Sequence, residues 1–186
     1  MFAAMLACLA AVSMSACSSV DTFEPLQAVH VSPASTAAAS YYVEFRGRSE
    51  VDGYGHSYIT LGYADTGGRS HRTTIFGFVP TTADDQFWSQ FAVPVGGTIA
   101  VTKSDFTPHP DVRFRAPLTR AEYLHITHDL ADLQKSWTVY LLAGHNCNDL
   151  MAHIARLAGL ATPALTILLP VAYVAELKAI NMPRTQ

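Results

Sequence analysis

Cysteine is scarce in this sequence of 186 residues, which contains only Cys8, Cys17 and Cys147. No two of them form a C-x-x-C pair, the close spacing that is typical of zinc sites built on thiolates. Widely separated thiols also offer no disulfide framework of the kind that holds very small secreted domains together. A folded domain in this chain therefore depends on its hydrophobic core.

Positive charge is also sparse and is not clustered. The chain has 12 Lys and Arg against 15 Asp and Glu, so its formal net charge is -3, and no basic block interrupts it. Binding to nucleic acid or to an anionic membrane through charge is therefore not expected.

The first 16 residues carry no charge and consist mostly of Ala, Leu, Met and Val. This run is too short and too weakly flanked to span a membrane, and it is typical of a secretory signal segment. Residues 14–17 (MSAC) resemble the lipobox of bacterial lipoproteins, although Met14 stands where Leu is usual. The resemblance implies that Cys17 is lipidated with palmitate and becomes the mature N-terminus. It further implies that Ser18, which follows the cysteine, permits transfer to the outer membrane, where the lipid anchors the protein on the periplasmic side. The alternative is an ordinary signal peptide that is cut near Ala16.

Two regions follow the predicted signal peptide of residues 1–16. Residues 17–40 are rich in Ser, Ala, Thr and Pro without apolar periodicity, which indicates a lipidated N-terminus with a flexible tether. Residues 41–186 are long enough for one domain with its own core. After signal removal and lipidation, Cys147 is the one remaining thiol and has no partner for an internal disulfide. It is therefore either inertly buried or reactive.

Alternation of apolar and polar residues predicts several strands. Residues 41–47 and 55–63 alternate with a period of two, as half-buried strands do. The DTGG sequence at 65–68 predicts a turn into a third strand, which completes a hairpin. The further predicted strands lie at 70–78, 96–103, 112–116 and 137–143, with a loop at 79–90.

Three helices are predicted from capping and periodicity. Residues 119–135 begin with a capping box of Thr119 and Glu122, followed by apolar residues three or four apart. A second helix begins at Cys147 and ends near Gly159, and a third runs from Pro170 to about Asn181. The sequence therefore predicts an α+β domain in which an antiparallel sheet packs against about three helices.

Cys147 falls where the second of these helices begins. Asn146 is a suitable N-cap with Asp149 as its reciprocal partner, so Cys147 occupies the first helical position. The helix N–H groups and dipole there favour the thiolate, and the same N–H groups can bind the oxygen anion formed when a thiolate attacks a carbonyl. A nucleophile at a helix start after a strand and a tight turn recurs in acyl-transfer enzymes. The structural alternative is a small apolar side chain that packs on the sheet.

The segment GHNCNDL at 144–150 resembles the Asn-Cys signature of the circularly permuted papain-like cysteine enzymes, which include NlpC-type, lecithin–retinol acyltransferase and PPPDE-like enzymes. In that superfamily the catalytic histidine precedes the cysteine near the start of a strand, and YGHSYITLG supplies His56 in that setting. A third polar residue follows on the adjacent strand, where SHRTTIF offers His71, with Asp65 and Asp52 as alternatives. The resemblance covers residues 41–180 and implies a permuted papain-like fold.

The resemblance further implies acyl transfer through a Cys-His pair. Cys147 attacks a carbonyl, His56 takes and returns the proton, and His71 orients the imidazole. Asn146 and Tyr54 are the candidates for an oxyanion or supporting role. In the cell envelope a peptidoglycan amide is the first expected substrate and an acyl lipid the second, and no cofactor is expected. The alternative is a non-catalytic binding or structural lipoprotein that retains the fold.

Metal binding by the other histidines is not expected. His125 and His128 are three residues apart on the predicted solvent side of a helix, and His145 could join Cys147 and His56 at a zinc ion. Neither set has the tight ligand pairs of known zinc sites.

Overall fold

The structure is a computed structural model that describes residues 40–49, 54–106 and 109–182. The predicted signal segment, the predicted lipidation site Cys17, nearly all of the tether and Asp52 lie outside these ranges. Within them a six-stranded antiparallel sheet carries four helices, which confirms the predicted α+β class. Among the described helices, none has the length and apolar character that a membrane crossing requires.

The sheet has the strand order β5-β1-β2-β3-β4-β6, and every neighbouring pair is antiparallel. The strands are Ser40–Arg48 (β1), His56–Ala64 (β2), Ser70–Pro80 (β3), Val95–Ala100 (β4), Val112–Leu118 (β5) and Val139–Tyr140 (β6). The helices are Ala83–Ser89 (α1), Arg120–Ser136 (α2), Cys147–Leu157 (α3) and Pro170–Asn181 (α4), and a short 3₁₀ helix covers Lys103–Phe106.

Alternation along the central strands places one face of the sheet in the core. Val43 and Phe45 of β1 pair with Leu61 and Ile59 of β2, and all four side chains are fully buried. Helices α2, α3 and α4 contribute the other half of this core, with Ile126, Met151, Ile154, Tyr173 and Leu177 among its members. The period-two pattern thus fixes which side of β2 meets the helices.

The capping signals of α2 and α3 are confirmed. Thr119 and Glu122 form the predicted capping box, in which the Thr119 hydroxyl accepts from the Glu122 N–H and the Glu122 carboxylate accepts from the Thr119 N–H. Helix α4 begins at Pro170, whose missing N–H costs nothing at the first helical position.

Two predicted segments differ from the observed fold. Residues 79–90 are not all loop, because Thr82 caps α1 by accepting from the Asp85 N–H at 3.1 Å. The strand predicted over 137–143 shrinks to β6, because the chain reverses between Leu141 and His145 through backbone hydrogen bonds of 2.8 and 2.9 Å. That reversal delivers Asn146 to the start of α3.

Candidate active site

Cys147 is the first residue of α3, directly after the turn that follows β6. Its side chain is only 5% exposed, and it is the one free cysteine among the residues that the structure describes. The thiol lines a cavity of about 330 Å³ that also reaches His56 at the start of β2. The two side chains that the sequence singled out are therefore brought together.

Asn146 acts as the N-cap of α3 and uses its side chain fully in that role. Its Oδ1 accepts from the N–H groups of Asn148 and Asp149 at 2.8 and 3.3 Å. Its Nδ2 donates to the carbonyl oxygens of Leu142 and Thr166 at 2.7 and 3.3 Å. Because these contacts occupy both ends of the amide, the role that the structure shows for Asn146 is to cap α3 and position Cys147.

The Cys147 thiol and the His56 imidazole line the same cavity and are close enough for each to shift the pKa of the other. Burial by itself raises the pKa of Cys147, but hydrogen bonding and charge from His56, with hydrogen bonds from Ser57, outweigh it and leave the pKa below its ordinary value. For His56, burial lowers the pKa, but the carboxylate of Asp105 and the neighbouring Cys147 raise it above its ordinary value. The opposite directions favour a thiolate beside an imidazolium.

Ser57 supports the thiol from the core side of β2. Both its backbone N–H and its hydroxyl contribute to lowering the Cys147 pKa. The hydroxyl also donates to Asn148 Oδ1 at 2.8 Å, and Asn148 Nδ2 donates to the carbonyls of Thr166 and Leu168. Ser57 was not among the predicted site residues. The sequence feature that could have indicated it is a polar side chain on a strand face that is otherwise apolar.

Asp105 is the carboxylate that faces His56. It is fully buried in the 3₁₀ helix, and its Oδ1 lies 3.9 Å from His56 Nε2 and 3.5 Å from Arg48 Nε. The other oxygen accepts from the Thr102 N–H at 2.8 Å, which fixes the carboxylate. Neither Asp105 Oδ1 nor His56 Nε2 has a hydrogen-bond partner among the described residues, so the Asp105 carboxylate acts on the imidazole through charge.

Gly77 makes room for the imidazole. It lies on β3 opposite Tyr58, and a Cβ placed on it would collide with His56 Nε2. Any larger residue at this position would push the His56 ring from its place beside the thiol.

Tyr140 places a hydroxyl at the start of α3. Burial, followed by the charge and hydrogen bonding of Cys147, raises the Tyr140 pKa far above its ordinary value, although a hydrogen bond from the Cys147 backbone N–H opposes the rise. The phenol therefore stays protonated and can donate a hydrogen bond next to the sulfur. Asn146 already caps the N–H groups of Asn148 and Asp149, whereas Tyr140 lines the same cavity as Cys147 and is a candidate donor to an oxyanion.

His71 is not part of this cluster. It pairs with Tyr63 at the far end of β2, about 24 Å from His56 at about 3.4 Å per residue. Its Nε2 lies 2.8 Å from Asp65 Oδ2, so Asp65 is also remote from His56. The prediction that His71 orients the imidazole is wrong for a geometric reason, and Asp105 occupies that place.

Tyr54 lies at the cavity, as the prediction of a supporting role requires, but its ring is 50% exposed. The predicted solvent positions of His125 and His128 are observed, and the His145 ring lies 2.6 Å from the Val139 carbonyl through Nδ1. Within the described ranges, no group of three or more His, Cys, Asp or Glu side chains could hold a metal ion.

Comparison with protein-family models, with curated proteins and with solved structures finds no match. A function for this site therefore has to be inferred from the geometry of Cys147, His56 and Asp105.

Proposed function

We propose that this protein is a cysteine-dependent acyl-transfer enzyme of the cell envelope, a hydrolase or an acyltransferase. The observation that carries the proposal is the buried pair of Cys147 and His56, with the thiol pKa lowered and the imidazole pKa raised, at the wall of a cavity. A nucleophile beside its base, with a third group directed at the base, is the arrangement that covalent acyl transfer uses.

The reaction follows from the positions of the side chains. The Cys147 thiolate attacks the substrate carbonyl and forms a carbon–sulfur bond, while Tyr140 donates a hydrogen bond to the developing oxygen anion. The imidazolium of His56 gives its proton to the leaving amine or alcohol, and a thioester remains on Cys147. His56 then takes a proton from water or from an acceptor, which attacks the thioester and releases the acyl group and the thiolate.

Asp105 serves in this scheme as a positioning residue. Its carboxylate stabilises the imidazolium through charge across 3.9 Å, and the Thr102 N–H holds it in place. Because burial opposes charge on His56, an anionic neighbour is needed to keep the imidazole protonated.

Location in the envelope belongs to the same proposal. The uncharged segment at residues 1–16 and the lipobox-like MSAC sequence support export and lipidation at Cys17. The mature protein is then held to the periplasmic side of a membrane, most consistently the outer one, by lipid on its N-terminus.

Reactivity of the thiol tests the enzyme proposal. At pH 6 an ordinary thiol with a pKa of about 8.5 is only about 0.3% thiolate. Because the Cys147 pKa is lowered, we expect iodoacetamide to modify the folded protein at least tenfold faster than N-acetylcysteine at pH 6, as followed by mass spectrometry. His56→Ala raises the thiol pKa and should slow modification at pH 6 at least tenfold, with a smaller effect at pH 9.

Cys147→Ala is the background control for this labelling. A thiol that reacts only after unfolding in denaturant would contradict the proposal and favour a non-catalytic binding or structural lipoprotein.

A further inference from the structure

The cavity beside Cys147 is apolar over much of its wall. Its lining includes Phe78, Val79, Leu142, Ile167, Leu168 and Leu169. Asn146 and Asn148 bind the carbonyls of Thr166 and Leu168, so the segment that supplies three of these side chains is tied to the start of α3. The apolar wall is thus held in fixed relation to the nucleophile.

Charged partners for a polar substrate are few in this cavity. Apart from the Cys147–His56 pair, its lining among the described residues contains no Asp, Glu or Lys, and its one Arg, Arg48, lies 3.5 Å from the Asp105 carboxylate. A peptidoglycan stem peptide carries carboxylates and amines, which lose free energy when they leave water without a charged partner. An uncharged chain does not incur that cost.

Exposed apolar side chains occur on the cavity lining and on the neighbouring helix α1. Ile167 and Leu169 line it and are each more than half exposed. On α1 and just after it, Phe87, Trp88 and Phe91 are also more than half exposed and contact one another, with ring centroids 5.3 to 6.0 Å apart. Gln86 and Gln90, which directly precede Phe87 and Phe91 in sequence, belong to the cavity lining.

We propose that the cavity binds the acyl chain of an amphiphile, with the carbonyl at Cys147 and the exposed apolar residues receiving the chain from a lipid surface. This inference rests on the proposed function and names its substrate class as an acyl ester or amide of a lipid, in preference to a peptidoglycan amide. The acyl group is transferred from its oxygen or nitrogen to the sulfur of Cys147 and then to water or an acceptor, so no further reactant is needed.

Binding tests the cavity separately from the chemistry. The Cys147→Ala protein, which cannot form a thioester, is titrated with the uncharged methyl ester of 11-(dansylamino)undecanoic acid below its micellar concentration, and dansyl fluorescence is followed. We expect saturable binding that Ile167→Asp weakens at least tenfold, because the substitution places a carboxylate on the cavity wall.

Leu124→Asp is the matched control, since Leu124 is an exposed leucine on α2 that does not line the cavity. It should change the dissociation constant by less than twofold. Absence of saturable binding, or equal weakening by both substitutions, would overturn the inference.

Turnover separates the inference from the proposed function. With wild-type protein, kcat/KM for p-nitrophenyl esters should rise at least tenfold from a two-carbon to an eight-carbon acyl chain. Cleavage of peptidoglycan fragments with no dependence on ester chain length would overturn the inference and leave the acyl-transfer function standing. Chain binding by Cys147→Ala without any Cys147-dependent turnover would support the cavity assignment and overturn the proposed function.

Discussion

The Asp105 carboxylate is fully buried between a histidine and an arginine, with Oδ1 at 3.9 Å from His56 Nε2 and 3.5 Å from Arg48 Nε. A buried carboxylate is costly unless charge and hydrogen bonds compensate it. Here the hydrogen bond from the Thr102 N–H and the charge of Arg48 compensate the buried carboxylate. The negative charge of Asp105 also raises the pKa of the His56 imidazole.

Asp105→Asn should lower kcat at least tenfold and lower the His56 pKa. The His56 pKa is raised in the folded protein by a neighbouring carboxylate, so activity that needs imidazolium is present below that pKa and is lost as pH rises through it. Removing the charge moves the alkaline limb of the kcat/KM profile to lower pH. The measurement is a pH profile of ester turnover.

His71→Ala is the matched comparison, because His71 pairs with Asp65 at the other end of β2. Its kcat and alkaline limb should equal those of the wild type. If the alkaline limb shifts in His71→Ala, or does not shift in Asp105→Asn, then a residue other than Asp105 stabilises the His56 imidazolium.

The sequence signalled Cys147 and His56 because each stands in a local pattern, a helix start after a turn and a strand start after glycine. Asp105 has no such pattern. It lies in a short 3₁₀ helix after β4, and only the packing of that segment against β2 brings it to His56. Tyr140 was hidden for a similar reason, since its phenol reaches Cys147 across the chain reversal at 141–145.

At the scale of elements, α2 and α3 begin with the same device. Thr119 with Glu122 and Asn146 with Asp149 each form a reciprocal capping box. An N-cap contributes about 1 kcal/mol to stability. The first helical residue is Arg120 in α2 and Cys147 in α3, so only the second capping box precedes the proposed nucleophile.

Thr119→Ala and Asn146→Ala therefore form a matched pair. Each should lower the free energy of unfolding by about 1 to 2 kcal/mol in urea titrations, with the larger loss for Asn146, which also binds two carbonyls. Thr119→Ala should leave iodoacetamide labelling of Cys147 at pH 6 unchanged, while Asn146→Ala should slow it severalfold. Equal labelling rates in both variants would show that the cap does not position the thiol.

The long elements were predictable from pattern and the short ones were not. The strands β1 to β3 and the helices α2 to α4 have several repeats of their period, and their ends carry caps, turns or proline. Helix α1 has seven residues, fewer than two full turns, and its Phe87 and Trp88 are exposed, so no buried stripe marks it. Strand β6 has two residues, because hydrogen bonding between Leu141 and His145 ends it.

On the scale of the whole molecule, the start of the described domain and the site occupy opposite ends of the sheet. Ser40, where the described part begins, pairs with Ala64, whereas Arg48 pairs with His56. In the proposed lipoprotein, the roughly 23 residues from Cys17 to Ser40 have a maximum reach of about 80 Å, against about 30 Å for the length of β1, which is long enough for the site to meet the membrane.

Lipidation itself is tested on the exported protein. We expect metabolic labelling with palmitate to mark the wild type and Cys147→Ala, but not Cys17→Ala, in which the predicted acceptor thiol is gone. Equal incorporation into wild type and Cys17→Ala would favour an ordinary signal peptide cut near Ala16.

The distance along the chain between the two halves of the site has a consequence for folding. Ser57 and Asn148, the neighbours of His56 and Cys147, are hydrogen-bonded although 91 positions separate them. Strand β1 likewise pairs with β2 along one edge and with β5, which lies much later in the chain, along the other. Folds that depend on contacts of such long range fold slowly, because a long loop must be closed before the contact can form. We therefore expect the fast thiol labelling at mildly acidic pH to appear only once the segments that carry His56 and Cys147 have docked, so that Cys147 reports on this docking during refolding.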